Sequence, residues 1–190
     1  MSSRFTVVAT PFSGLKILER RIVGDQRGSF HRMFCAEELK EAGWTAPVAQ
    51  INFTRTTLRG TIRGMHFQKA PFAEMKCVAC VAGRVLDVVV DLRAGSPTFL
   101  KWFSVELAED NHRSILVPEG FAHGFQALTD EVALLYSVSS PFTVAAEGGL
   151  NPLDPGIGIE WPLPVGTISA RDAGQPYVTE AFRGMELHAA

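Results

Sequence analysis

Between Arg59 and Glu74 the chain reads R-G-T-I-R-G-M-H-F-Q-K-A-P-F-A-E, and this stretch holds the densest set of residues able to do chemistry. His66 stands between Arg63 and, just downstream, Lys76, so one general base and two cations fall within fourteen residues. Such a set can remove a proton and hold the negative charge left behind. A second stretch, P-E-G-F-A-H-G-F from Pro118 to Phe125, contributes His123. Gly60 and Gly64 interrupt the first stretch, and a glycine inside a strand marks a bulge or a close backbone approach.

The surrounding sequence must position these groups. From Val48 to Val138 it alternates β-branched and aromatic runs with Gly, Pro, Asn and Asp, which predicts short strands in a sandwich or barrel. Residues 5–9 and 15–23 read as strands, with a turn over D-Q-R-G-S-F from Asp25 to Phe30. Ala36 to Ala42, closed by Gly43, predicts a helix. Beyond Pro141 the chain is rich in Gly and Pro, with room for one short helix near the end. No repeat or linker divides it, so residues 1–190 are expected to form one domain.

Side-chain alternation in R-V-L-D-V-V-V-D-L puts Leu86, Val88, Val90 and Leu92 on one face and Asp87 and Asp91 on the other. Asp87, in mid-strand among valines, is expected to be buried with a partner such as a histidine. Asp91, beside Arg93 and a turn, reads as a strand-end charge in water. Tyr136 shares a face with Val132, Leu134 and Val138 and should point inward. Cys77 and Cys80 form a C-x-x-C inside a strand, where residues three apart face opposite ways, so they read as core thiols. His31, His112 and His188 read as surface residues.

Hydrophobic residues make up 46% and charged residues 20%, with a net charge of −2 and no long run of one sign, so no nucleic-acid partner is expected. The N-terminal stretch lacks a long apolar region and no window approaches a membrane span. A soluble cytoplasmic protein without membrane association is expected.

The pattern G-x-H-x-Q-x5-E followed by P-x-G-x-x-H resembles the two motifs of a cupin barrel. Metal-binding cupins supply a second histidine where this chain has Gln68, which leaves His66, Glu74 and His123 as a reduced ligand set. Arg63 and Lys76 would repel a cation, so no metal and no other cofactor is expected.

Further motifs are more specific. R-G-M-H-F-Q, P-F-A-E-M-K, L-D-V-V-V-D-L-R-A-G-S-P-T-F-L-K-W, V-P-E-G-F-A-H-G-F, L-L-Y-S, L-D-P-G-I-G-I-E-W-P and S-A-R-D together resemble the dTDP-4-dehydrorhamnose 3,5-epimerase family, in order from Asp25 to Asp172. The resemblance implies an all-β, cupin-type jelly-roll barrel with short peripheral helices, a metal-free homodimer, and a dTDP-linked 4-keto-6-deoxy sugar as substrate. It makes His66 the base, Asp172 its orienting partner, Lys76 the enolate-stabilising cation and Tyr136 the acid. It assigns substrate contacts to Arg63, Arg27, Phe30, Gln50, Asn52, Gln68, His123 and Phe142, and a supporting role to Asp87. The Arg27 segment would reach the partner subunit's site. Arg63 and His66 have opposite parity on a regular strand, and a bulge at Gly64 would bring both inward. Arg32, Ser137, Phe142, Pro152 and Leu153 depart from the family's usual residues, which leaves open a 3-epimerase acting on another nucleotide-linked sugar. The same residues are also compatible with a metal-dependent cupin enzyme or a non-catalytic sugar-nucleotide binder.

Overall fold

The computed structural model describes residues 3–187. In chain order its strands are β1 (Phe5–Ala9), β2 (Lys16–Arg20), β3 (Ile22–Asp25), β4 (Gly28–His31), β5 (Gln50–Thr56), β6 (Ile62–Gln68) and β7 (Lys76–Ala82). There follow β8 (Arg84–Asp91), β9 (Trp102–Ala108), β10 (Arg113–Val117), β11 (Phe121–Ala127), β12 (Val132–Val138) and β13 (Glu147–Gly149). Two short helices, α1 (Ala36–Lys40) and α2 (Ala170–Ala173), and a 3-10 turn at Val144–Ala146 lie around them. The expected strand over 15–23 is broken at Arg21 into β2 and β3. The helix expected over 36–42 stops two residues earlier, and Gly43, at φ 112°, turns the chain away.

One sheet has the order β1-β2-β10-β7-β12-β5 and the other β13-β6-β11-β8-β9, with the paired strands antiparallel throughout; β3 and β4 form a separate hairpin. This is the cupin-type jelly roll, and each strand's alternation feeds two apolar layers. Val78 and Leu134 from the first sheet meet Val85, Val89, Phe121 and Phe125 from the second in the central core. The outer face of the second sheet, with Val88, Val90 and Leu92, is covered by Leu150, Ile157 and Met185 from the C-terminal segment. The outer face of the first sheet is covered by the excursion after β4, where Leu39 and Trp44 pack on Leu18 and Cys77. Burial of a side chain such as Leu134 contributes roughly 1.5–3 kcal/mol.

This layering explains the cysteines. Cys77 belongs to the outer layer and Cys80 to the central core, and burial pushes their thiols up to about 12 and about 11. It also corrects two readings. Asp91 is fully buried, not a charge in water: Arg93, Ser96 and Thr98 all donate to its carboxylate. Burial alone would raise its pKa, but these donors outweigh burial and bring it to about 2. His31 and His112 are half-buried and stack with ring centroids 5.4 Å apart. Both Nδ1 atoms are enclosed without a hydrogen-bond partner, and burial, Arg20 and His112 lower the pKa of His31. His188 lies outside the described residues. Among those residues no helix is long and apolar enough to cross a membrane.

Candidate active site

His66 on β6 and His123 on β11 are direct cross-strand partners. Two residues further along β11, Phe125 pairs with Arg63, so three steps on β6 oppose two on β11. The extra residue is a bulge at Gly64, and it reverses parity, so that Arg63 and His66 line the same cleft. Glycine is required there. Gly64 has φ 132°, and a Cβ on it would lie 2.5 Å from the Cα of Gly124.

The cleft, about 560 Å³, opens between the two sheets. His66 and His123 reach it from the second sheet, Lys76 on β7 and Tyr136 on β12 from the first. Asp172 arrives from α2, where the Ser169 hydroxyl accepts from the Asp172 backbone N–H at 3.0 Å and fixes the short helix. The Asp172 carboxylate then binds twice: Oδ1 to His66 Nε2 at 2.8 Å, and Oδ2 to the Gly64 backbone N–H at 3.2 Å. Asp87 is fully buried and lies 2.8 Å from His123 Nε2, the histidine partner anticipated from its mid-strand position. Lys76 pairs with Glu74 at 3.1 Å, and the Tyr136 hydroxyl lies 3.5 Å from Thr54 Oγ1.

The electrostatics of the first pair suit a base. Burial lowers the pKa of His66 and prevails over the opposing pull of Asp172, while Arg171 and Lys76 add to the lowering. For Asp172, burial acts upward but is outweighed by the hydrogen bond and charge of His66, with Gly64 and Arg171 assisting. The stable form is therefore a neutral imidazole beside a carboxylate, and when Nε2–H donates to Asp172 the lone pair is on Nδ1.

An adjoining pocket of about 390 Å³ shares His66, Lys76, Tyr136 and Arg171 and adds Gln50, Asn52, Gln68 and Phe142. The Gln68 amide is already committed: it donates to the Phe72 and Pro141 carbonyls and accepts from the Thr143 N–H. Gln50 Oε1 likewise accepts from the Phe142 N–H at 2.5 Å. Arg27 and Phe30 are not brought to this cleft. They lie on the exposed β3–β4 hairpin, where Arg27 pairs with Asp25. Of the departing residues only Phe142 lines either pocket; Arg32 is bonded to Glu38, and the Pro152 carbonyl accepts from Trp161 Nε1. Among the described residues no group of three or more His, Cys, Asp or Glu is placed to hold a metal. Sequence reasoning missed Arg171 and Glu147, although Arg171 lay inside the S-A-R-D motif. Arg171 reaches His66 Nε2 at 2.9 Å and Glu147 at 2.8 Å.

A jelly roll with a His–carboxylate pair and a lysine facing each other across its sheets defines a cupin-type protein built for acid–base work. The chain belongs to the dTDP-4-dehydrorhamnose 3,5-epimerase family, whose sequence model matches residues 9–180. The dTDP-4-dehydrorhamnose 3,5-epimerase of Streptomyces griseus is 41% identical over 172 residues, covering 90% of this chain and 85% of that protein. The dTDP-4-dehydrorhamnose 3-epimerase of Streptomyces niveus is 40% identical over 158 residues, covering 83% and 76%. Among solved structures, the Legionella pneumophila dTDP-6-deoxy-D-glucose-3,5-epimerase in complex with dTDP-4-keto-L-rhamnose has a TM-score of 0.90 at 36% identity, covering 97% of this chain and 100% of that one.

Proposed function

We propose that residues 1–190 act as one catalytic domain that inverts C3, C5 or both in a dTDP-linked 4-keto-6-deoxy sugar. The observation that carries this reading is the approach of His66 and Tyr136 to one cleft from opposite sheets. A proton beside a ketone becomes removable when the charge that moves onto the carbonyl oxygen is stabilised. His66 breaks the C–H bond and takes the proton, and the electron pair forms the enolate. The Lys76 ammonium holds the enolate oxygen by a charge-assisted hydrogen bond. Tyr136 then delivers its hydroxyl proton to the carbon from the other face, which inverts the centre. Solvent exchange returns the His66 proton and restores Tyr136. No step calls on a metal or another cofactor.

Arg63 suits the diphosphate because its fork can bond two oxygens at once, and Asn52, His123 and Phe142 complete the sugar contacts. Gln50 and Gln68 act chiefly by holding the loop that carries Phe142. The protein works in the cytoplasm as a homodimer in which the β3–β4 hairpin offers Arg27 and Phe30 to the partner's cleft. Support comes from their exposure, 89% for the Arg27 side chain and 62% for Phe30.

The test is incubation with dTDP-4-keto-6-deoxyglucose in heavy water, with the label located by NMR. Deuterium at both C3 and C5 is the expected result. Label at C3 alone selects the mono-epimerase reading, which Phe142 favours because it brings no hydroxyl to the adjoining pocket. No label at either carbon overturns the proposal.

A further inference from the structure

His66 Nε2 has two suitors. Asp172 Oδ1 lies 2.8 Å away and Arg171 Nη2 lies 2.9 Å away. An imidazole nitrogen either carries a proton or offers a lone pair, so it cannot donate to the carboxylate and accept from the guanidinium at once. The two contacts are alternatives with opposite consequences. When Nε2–H donates to Asp172, the lone pair is on Nδ1, which has no protein hydrogen-bond partner among the described residues, and the ring can act as a base. When Nε2 accepts from Arg171, the proton sits on Nδ1 and that lone pair is gone.

The guanidinium is not loose. Its Nη1 donates to Glu147 Oε1 at 2.8 Å and its Nε to Asp172 Oδ1 at 3.4 Å. Glu147 lies on β13, where Gly149, two residues further along the strand, pairs with His66 itself. Arg171 thus touches both members of the catalytic pair and is tethered by a carboxylate from the strand beside them. Its side chain is 55% exposed, so it can also meet an incoming anion.

We infer that Arg171 and Glu147 are a positioning pair that sets the tautomer and protonation state of His66: the Arg171 cation resists protonation of the ring, and Glu147 sets how strongly that cation acts. Its bearing on catalysis rests on His66 being the base of the proposed reaction. The other groups around the ring are fixed in role. Asp172 favours the protonated ring, and Lys76 on β7, balanced by Glu74, disfavours it. His123 across the strand is occupied by Asp87, and Tyr136 and Arg63 line the same cleft.

Nitrogen NMR of ¹⁵N-histidine protein, with the His66 signals assigned by their absence in His66→Asn, reads tautomer and titration without turnover. Arg171→Gln should move the His66 titration to higher pH and enrich the Nε2–H form. Glu147→Gln keeps an oxygen to accept from Arg171 but removes the balancing charge, so the titration should move the opposite way. The acid limb of kcat/KM should follow each shift, with several-fold loss for Arg171→Gln near about pH 6 and little near about pH 8. Arg171→Lys, which keeps the charge without the fork, should titrate close to the parent. Unmoved signals in both variants, or a shift in the same direction for both, would overturn the inference. Signals that move as stated while the rate profile stays fixed would uphold it and remove His66 as the base.

Discussion

His66–Asp172 and His123–Asp87 are the same two residue types at the same 2.8 Å separation, with their histidines paired across neighbouring strands. Their surroundings differ. The His66 side chain is 30% exposed at the cleft, and both oxygens of Asp172 are bonded, one to the ring and one to Gly64. The His123 side chain is 11% exposed, and Asp87 lies wholly inside the barrel with Oδ1 enclosed and unpartnered. The carboxylate of the outer pair is held from two sides and its histidine keeps a face open. Among the described residues the inner carboxylate has its histidine alone as a side-chain partner. The proposed reaction uses the first pair to exchange protons and leaves the second as it is.

Substitution should separate the two pairs sharply. His66→Ala should slow solvent deuterium incorporation by about 10²–10⁴-fold, with dTDP affinity measured by calorimetry nearly unchanged. Survival of exchange would end the distinction between the pairs. His123→Ala leaves a buried carboxylate uncompensated and should lower unfolding free energy in urea by about 3–5 kcal/mol. His66→Ala should cost much less, because Asp172 retains Gly64 and Arg171. The reverse order of stabilities would contradict the assignment of the inner pair to structure.

Tyr136→Phe tests the sheet that faces both pairs. Completed inversion should fall about 10²-fold, with first-proton exchange by His66 far less affected. Equal loss of the two steps would deny Tyr136 its role as the acid. The smallest effect is in pH dependence. In the proposed reaction His66 works as the neutral ring; its pKa is lowered, chiefly by burial, so the acid limb of kcat/KM should fall below about pH 6.5. The folded state also binds fewer protons there than the unfolded one. This part of the stability is therefore present above the unfolded pKa and is lost as pH falls through the folded one. A limb above about pH 6.5 would mean that the ring is less enclosed than the cleft makes it.

Alternation along single strands carried much of this into the sequence. It placed Asp87 inside with a histidine, turned Tyr136 inward and separated Cys77 from Cys80. What it could not carry was set by chain segments arriving from elsewhere. Asp91 looked like a terminal charge because its donors Ser96 and Thr98 return only after the chain has turned. His31 and His112 looked superficial because they meet only when the hairpin folds over the approach to β10. The parity of Arg63 and His66 depended on a backbone irregularity that residue types merely permit. Arg171 was passed over because its significance lies in a ring 105 positions away. Arg27 and Phe30 lie off this chain's cleft, on the β3–β4 hairpin.

The central core has a consequence beyond stability. In the proposed reaction the base and the acid, His66 and Tyr136, are mounted on separate sheets, and Val78, Leu134, Val89 and Phe125 fill the space between those sheets. That packing works as a gauge block for stereochemistry. If the gap widens, a carbon stripped by His66 waits longer for Tyr136 and is more often reprotonated from the side it left. Handedness in that reaction would then be tuned in part by Val78 and Val89, which line neither pocket, and a core variant could wash out its proton at full speed yet return the wrong hand.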